Sequence, residues 1–471
     1  MKSRIIYTAF LGKYYTRKKC DSDKLLIIEL ESINKHKGGF TVIERRKPIW
    51  VKEATEKIME LKRRGEMEWV SIEECDGRFL AAPLIADHDV PPFDRSPYDG
   101  FAIRSCDTLS GSSKNPLQFE VVDEIGAGQV SMKHLQEFQA IRIMTGAAIP
   151  QGADAVIMLE LVKEETSLDK KIITIKRKVN AGENISFQGE DAKKGQKLLE
   201  QGTMINPGVK ALLATFGYHK VPVAKKPVIG VIATGSELLR VEEPLSPGKI
   251  RNSNGYMIES QIIKAGASVK KYENCADDLE SLLAAVKSAM KECDIIITTG
   301  GVSVGDFDYL PEIYKQIGAE VLFNKIAMRP GSVTTVAKCE NKLFFGLSGN
   351  PSACYVGFEL YVRPIIRYWL YSNKPFLRKA TAILNADFPK PNPFNRFVRG
   401  RLSYDNGRIF VEPVGLDKSN VVTSVAWADC LIVLPGGTRG YLNGDLVDIL
   451  LLEDQSGSDE QWKEKRRSSK L

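Results

Sequence analysis

Apolar positions recur along the chain with two different periods, and the change of period divides it. Val51, Ala54, Ile58 and Leu61 fall at helical spacing and predict a helix over 51–64, which Gly65 stops. Between 84 and 179 the apolar runs shorten to 119–125, 140–144, 155–160 and 171–177. Pro91-Pro92, Asn115-Pro116 and Pro150-Gln151-Gly152 punctuate them. A small β-rich domain fits that spacing. Residues 180–224 are Gly-rich and apolar by turns, and a boundary falls at Lys225-Lys226-Pro227.

From 225 to 374 the rhythm becomes strand, loop, helix. Strands are predicted at 227–234, 268–274, 294–299 and 342–346, and helices at 254–265 and 277–293. In the second helix Leu279, Leu282, Leu283, Val286 and Met290 keep the spacing of one face. Such alternation predicts a mostly parallel sheet covered by helices, with ligands at the carboxyl ends of its strands. Beyond 375 short strands return at 381–386, 397–402, 409–413, 430–434 and 446–452. The expected fold is a multidomain α/β protein: a central, mostly parallel α/β sheet domain with β-rich domains on its N-terminal and C-terminal sides. Residues 453–471 are polar, with five basic and five acidic side chains, and are expected to fray.

Composition narrows the function classes. With 471 residues, 43% hydrophobic and 27% charged, the chain has the make-up of ordinary globular protein. The net charge of +7 resides in residues 1–50, where twelve Lys and Arg face five Asp and Glu. The remainder is neutral, which argues against a nucleic-acid-binding body. Residues 1–44 read as a basic, flexible extension. No apolar run approaches the roughly 18 residues of a membrane span, and the short run after Lys2 and Arg4 lacks a signal-peptide cleavage site. Eight scattered cysteines without a C-x-x-C pair speak against zinc or disulfides and for a reducing, cytoplasmic setting.

The candidate chemistry lies in loops after strands. Thr234-Gly235-Ser236-Glu237 follows the first strand, and Gly300-Gly301-Val302-Ser303 with Asp306 and Asp308 follows a later buried one. Glycines there let backbone N–H groups approach an anion, although a tight turn alone would use the same residues. Glu237, Asp277, Asp306 and Asp308 sit at or after strand ends, where they could hold a hard cation such as Mg²⁺. Helix capping is the rival reading for Asp277, Asp306 and Asp308. Lys325 and Arg329 beside Gly331 and Ser332 suggest an oxyanion site, with plain surface solvation as the alternative. Ser348-Gly349-Asn350-Pro351 then exposes amides before a helix that Pro351 would start. The chain has no G-x-x-x-x-G-K-[S/T] segment, and none of its four histidines lies in these loops.

Several of these segments go further together. Pro91-Pro92-Phe93-Asp94-Arg95-Ser96-Pro97-Tyr98-Asp99-Gly100, Ile141-Arg142-Ile143-Met144-Thr145-Gly146 with Gly152-Ala153-Asp154, the two Gly-rich loops and Gly349-Asn350-Pro351 resemble the MoeA family from about residue 45 to 452. The resemblance implies insertion of molybdate into adenylylated molybdopterin, with Mg²⁺-dependent release of AMP, by a homodimer. It places catalytic roles on Asp99, Asp191, Glu237, Asp277 and Asp308, the last three being the expected Mg²⁺ ligands. Thr145, Lys325, Arg399 and Ser419 fall on the family's binding positions. With the loop residues Thr234, Gly235, Ser236, Gly300, Gly301, Ser303, Arg329, Ser332, Ser348 and Asn350 they make up the expected substrate site. The expected division is 45–83 with 180–224 as an elongated linking domain, 84–179, 225–374 and 375–452. Arg329 and Ser332 stand where the family often has lysines. Molybdopterin adenylyltransferase, which resembles the α/β domain alone, and a gephyrin-like scaffold are the alternatives.

Overall fold

The computed structural model describes residues 47–167, 170–272, 278–301, 309–391, 393–452 and 457–462. The basic extension at 1–44 therefore lies outside the described residues, as do Asp277, Ser303, Asp306 and Asp308.

The sheet that positions the site comes from residues 228–347. Its elements in chain order are β1 (Val228–Ala233), α1 (Ser253–Ala265), β2 (Ser268–Tyr272), α2 (Leu279–Glu292), β3 (Ile295–Thr299), α3 (Leu310–Gln316), β4 (Glu320–Phe323), β5 (Thr335–Cys339) and β6 (Lys342–Leu347). The strand order is β2-β1-β3-β6-β5-β4. The first four strands run parallel, while β5 and β4 add an antiparallel edge, so the sheet is mixed. Every residue of β3 is buried because helices cover both faces, as a parallel strand requires. Pleating sends alternate residues to opposite cores. Ile295 and Ile297 join α1 on one side, and Ile296 joins Leu282, Val286 and Ala289 of α2 on the other. Asn252 caps α1 and Asp278 caps α2, each side chain accepting a backbone N–H near the helix start.

The predicted first helix forms over Val51–Glu60. Its buried face, Val51, Ala54 and Ile58, packs into the α1 side of this core instead of staying with the linking segments. Gly65 does not stop it, since the helix already ends at Glu60 with Leu61 as its C-cap; the glycine serves a close approach instead, because a β-carbon there would lie 2.2 Å from the Trp369 indole nitrogen. The linking segments pair with each other, Met67–Ser71 with Lys220–Ala224 and Leu84–Ile85 with Lys197–Leu199. Between them a six-stranded sheet runs from Gly100–Ile103 to Lys170–Ile175.

After β6, a helix at Pro351–Gly357 continues through a π-turn into Arg363–Trp369. The C-terminal strands Lys379–Leu384, Asn395–Asp405, Arg408–Pro413, Cys430–Leu434 and Leu446–Leu451 close into a five-stranded barrel. Met328–Arg329, from the α/β part of the chain, pairs in parallel with Asn395 and Arg396 and so joins the barrel sheet.

One expectation is corrected here. Residues 457–462 do not fray: Ser458 exchanges two backbone hydrogen bonds with Phe376, and Trp462 is buried edge-on to Phe397, its centroid 6.0 Å away. A single large aromatic decided this, because charge balance describes the neighbours and not Trp462 itself.

Candidate functional site

The carboxyl ends of β1, β3 and β6 form one rim. Register places Ala233 beside Thr299 and Thr299 beside Leu347, so the loops after these strands are adjacent. Gly300 has φ +91°, and a β-carbon there would lie 2.6 Å from the Thr234 carbonyl oxygen. Only glycine fits both the conformation and the space. Across the next gap, a β-carbon at Gly349 would lie 3.5 Å from the Gly300 α-carbon. The Asn254 amide donates to the Gly349 carbonyl at 2.8 Å and ties α1 to this rim. Thr234 is buried and its hydroxyl donates to the Thr299 carbonyl at 3.5 Å, so it braces the rim where a ligand contact was expected. Ser236 is exposed, and its carbonyl accepts from Lys249 at 2.6 Å. The exposed Glu237 folds its carboxylate to within 2.8 Å of where a side chain on Gly235 would begin.

At the β6 end of the rim lies a cavity of about 320 Å³ between the sheet domain and the barrel. It gathers five predicted residues: Arg329, Ser332, Ser348, Asn350 and Ser419. Ser348 accepts the Asn350 N–H at 3.2 Å, a turn that precedes the helix Pro351–Gly357. From the barrel side, the Ser419 carbonyl accepts the Ser352 N–H at 3.0 Å. Lys325 does not line this cavity. It is half-buried, and its carbonyl accepts the Ile49 N–H at 3.1 Å as the chain passes alongside.

The structure corrects the place of Arg399. Its side chain is 1% exposed and does not line the cavity. Its donors reach the Ser424 hydroxyl at 3.2 Å, Asp417 at 3.4 Å, and the carbonyls of Leu416 and Lys418 at 3.2 and 3.3 Å. Burial pulls its pKa down, and the Asp417 carboxylate opposes that. Arg399 thus braces the loop 416–419 from behind. The barrel-strand guanidinium that lines the cavity alongside Arg329 is Arg396, paired with Asp417, and Lys418 joins them. Sequence reasoning missed Arg396, Asp417 and Lys418. The signal was present: two arginines three apart in an apolar strand need a carboxylate to share. Which arginine reaches the cavity depends on strand register, which the pattern does not give.

In the N-terminal half, Asp99 and Thr145 come together. The Thr145 N–H and hydroxyl donate to one Asp99 oxygen at 2.7 and 2.8 Å. These bonds, the backbone one first, hold the Asp99 carboxyl below its ordinary value. Asp191 is exposed, and its N–H donates to the Val90 carbonyl at 3.0 Å; no hydrogen bond joins it to Asp99 or Thr145 among the described residues. None of the three lines the cavity at Arg329. Among the described residues no group of three or more His, Cys, Asp or Glu is arranged to hold a metal. Glu237 is the one member of the expected Mg²⁺ trio within those residues, and Gly301 begins the loop that leaves them. The cap expected of Asp277 is supplied by Asp278, which accepts the Ser281 N–H at 2.8 Å. No helix of the described residues is long and apolar enough to cross a membrane.

A mixed sheet with Gly-rich strand ends and a cationic cavity beside it frames a site for an anionic ligand. Residues 230–368 match the family described as a probable molybdopterin binding domain. The flanking regions match two further families, the MoeA N-terminal region (domain I and II) at 49–217 and the MoeA C-terminal region (domain IV) at 381–452. The chain belongs to the MoeA family. It is 57% identical over 430 residues to a molybdopterin molybdenumtransferase of Bacillus subtilis, covering 91% of this chain and all of the relative. A relative of the same description from Staphylococcus aureus is 50% identical over 419 residues, covering 89% of this chain and 99% of its own. Among solved structures, a molybdopterin biosynthesis MoeA protein from Pyrococcus horikoshii superposes with a TM-score of 0.74 at 32% identity. That match covers 86% of this chain and 100% of the other.

Proposed function

We propose that this transferase of molybdenum cofactor biosynthesis inserts molybdate into adenylylated molybdopterin and releases AMP. The observation that carries the reading is the cavity at Arg329. Arg329, Arg396 and Lys418 supply cations there, while Ser332, Ser348 and Ser419 supply hydroxyls, all next to the rim of the molybdopterin-binding sheet. Molybdate is a tetrahedral dianion, and charge-assisted hydrogen bonds from guanidinium groups are its natural ligands. The rim presents Gly300 and Gly349 with no side chain in the way of a diphosphate.

Mg²⁺ is the proposed cofactor, and it would neutralise the diphosphate when bound. Glu237 would hold it, with Asp277 and Asp308 completing the ligand set by resemblance. The hard oxygen donor of Glu237, exposed at the carboxyl end of β1, fits that ion. The Asp99, Thr145 and Asp191 group is assigned to the same reaction. Because it belongs to the N-terminal half, the proposed enzyme is a homodimer in which this group of one subunit completes the site of the other. Cytoplasmic localisation is supported by the free thiols of Cys75, Cys106, Cys293, Cys339, Cys354 and Cys430.

The test is incubation of the purified protein with adenylylated molybdopterin, molybdate and Mg²⁺, following AMP. Release of AMP that requires both molybdate and Mg²⁺ is expected. Release without molybdate would point to hydrolysis and overturn the reading.

A further inference from the structure

A second cavity, of about 170 Å³, opens at the opposite edge of the sheet, where β3 and β6 begin. Ile295, Leu343 and Ile365 supply apolar wall, with Leu61 and Trp369 beside them. β3 is five residues long, so this cavity lies roughly 15 Å from the rim at Thr299, and a ligand in it would overlap no part of the site at Arg329. The segment that follows the first helix is pinned alongside. The Gly65 N–H donates to the Trp369 carbonyl at 3.0 Å, and the Tyr371 hydroxyl donates to the Gly65 carbonyl at 2.9 Å. Arg64 donates to the carbonyls of Tyr368 and Ser372 at 2.9 and 3.2 Å. These bonds present Arg63 to the cavity, its guanidinium 4.5 Å from the centre of the Trp369 ring.

We infer that this cavity binds a small carboxylate whose apolar body is about the size of one aromatic ring, with the carboxylate on Arg63 and the body against Ile295, Leu343, Ile365 and Trp369. Charge carries the choice of head group, because the other charged side chains of the lining are already engaged. The Asp294 carboxylate accepts the Val228 N–H at 2.9 Å, and Lys342 donates to the Cys293 carbonyl at 2.7 Å, so both satisfy backbone groups at the strand starts. Lys338 pairs with Glu320 at 3.0 Å, and Glu340 is exposed on the turn between β5 and β6. Arg63 is exposed, and among the described residues no carboxylate pairs with it. A guanidinium offers a carboxylate two parallel N–H donors, and its seat on the indole leaves less freedom to lose when they are used. Volume carries the choice of body, since an apolar cavity of about 150 Å³ holds one benzene ring. The site is independent of the proposed reaction.

Fluorine NMR of the full chain grown with 5-fluorotryptophan reads this site directly, because the chain has five tryptophans and Trp369→Phe assigns the resonance of one. Benzoate is the probe. It is expected to shift the Trp369 resonance saturably and to leave the others in place. Arg63→Gln should weaken benzoate about tenfold, the effect of losing a charge-assisted hydrogen bond. Lys338→Gln should stay within about a factor of two of the parent, since an exposed ion pair contributes little. Benzyl alcohol, the same ring without the charge, should bind the parent about tenfold more weakly than benzoate and be indifferent to Arg63→Gln. The inference falls if benzoate moves no tryptophan or moves all five alike. It falls equally if Arg63→Gln binds benzoate as the parent does, or if benzyl alcohol binds as tightly as benzoate. A loss in Lys338→Gln equal to that in Arg63→Gln would assign the effect to general charge and overturn it as well.

Discussion

The backbone N–H of Ser352 donates to the carbonyl of Ser419 at 3.0 Å, so the first turn of a sheet-domain helix is anchored on a barrel loop. The loop is in turn held by Arg399, whose guanidinium reaches Asp417 and two loop carbonyls. Removing that brace should therefore act on a site it does not touch. Arg399→Met is expected to raise half-saturating molybdate at least tenfold and to lower stability by roughly 3–5 kcal/mol, since it leaves Asp417 with one buried partner fewer. Urea unfolding and a molybdate titration of AMP release would check both. Unchanged half-saturation together with lost stability would show that the loop holds without it.

The two cavity guanidinium groups differ in burial, and that difference sets an order. Arg329 is exposed and Arg396 is 7% exposed. Charge-assisted hydrogen bonds are worth about 1.5–3 kcal/mol, with buried ones at the upper end. Arg329→Ala should weaken molybdate about tenfold, Arg329→Lys less, and Arg396→Ala more than either. The same titration in the three variants is the measurement, and equal half-saturation at all three would remove both residues from the anion site.

Protonation of Asp99 follows from its bonds to Thr145. Its folded-state pKa lies below the ordinary 3.8, so the contact contributes above that value and is lost as pH falls through the lowered one. The backbone N–H is the larger cause. Thr145→Ala should therefore leave the Asp99 carboxyl still below 3.8 in a carbon-detected NMR titration, with only part of the depression relieved. A return to 3.8 would assign the effect to the hydroxyl.

Subunit exchange tests the assignment of two half-sites. Asp99→Ala and Glu237→Ala homodimers should each be inactive, and mixing them after mild dissociation should recover some AMP release, because one hybrid site keeps both groups. No recovery, with exchange verified by mass spectrometry, would place both residues in the site of one subunit.

Trp462 should matter far more than its place near the end of the chain suggests. It is buried against Phe397, and its indole N–H donates to Asp448 at 3.2 Å. Trp462→Ala should cost about 3–5 kcal/mol, the usual penalty for emptying a buried aromatic site. Chemical denaturation would check it, and a loss below 1 kcal/mol would mean the segment is dispensable.

The four parallel strands of the sheet domain and its two long helices were legible because burial on two faces writes long apolar runs, as in Ile295 to Thr299, whereas the antiparallel edge strands β4 and β5 were not read. Tertiary arrangement was less legible. That Val51, Ala54 and Ile58 pack into the sheet core, and not with the linking strands, depends on which apolar face is left uncovered. The cavity residues Arg329, Ser332, Ser348, Asn350 and Ser419 were found by residue type and resemblance. Arg399 was named where Arg396 lines the cavity, because residues three apart fall on opposite faces of a strand and the residue pattern alone does not say which face meets the cavity.

The strand Met328–Arg329 has a consequence for synthesis. It pairs with residues 395–396 in a barrel that closes only when Leu446–Leu451 has been made. The ribosome adds roughly 5–20 residues each second, so Arg329 waits on the order of ten seconds for its barrel partners. During that interval the nascent chain holds the residues of the sheet and lacks the barrel wall of the cavity at Arg329. On the proposed reaction, competence would thus arrive in one late event, with the last strand.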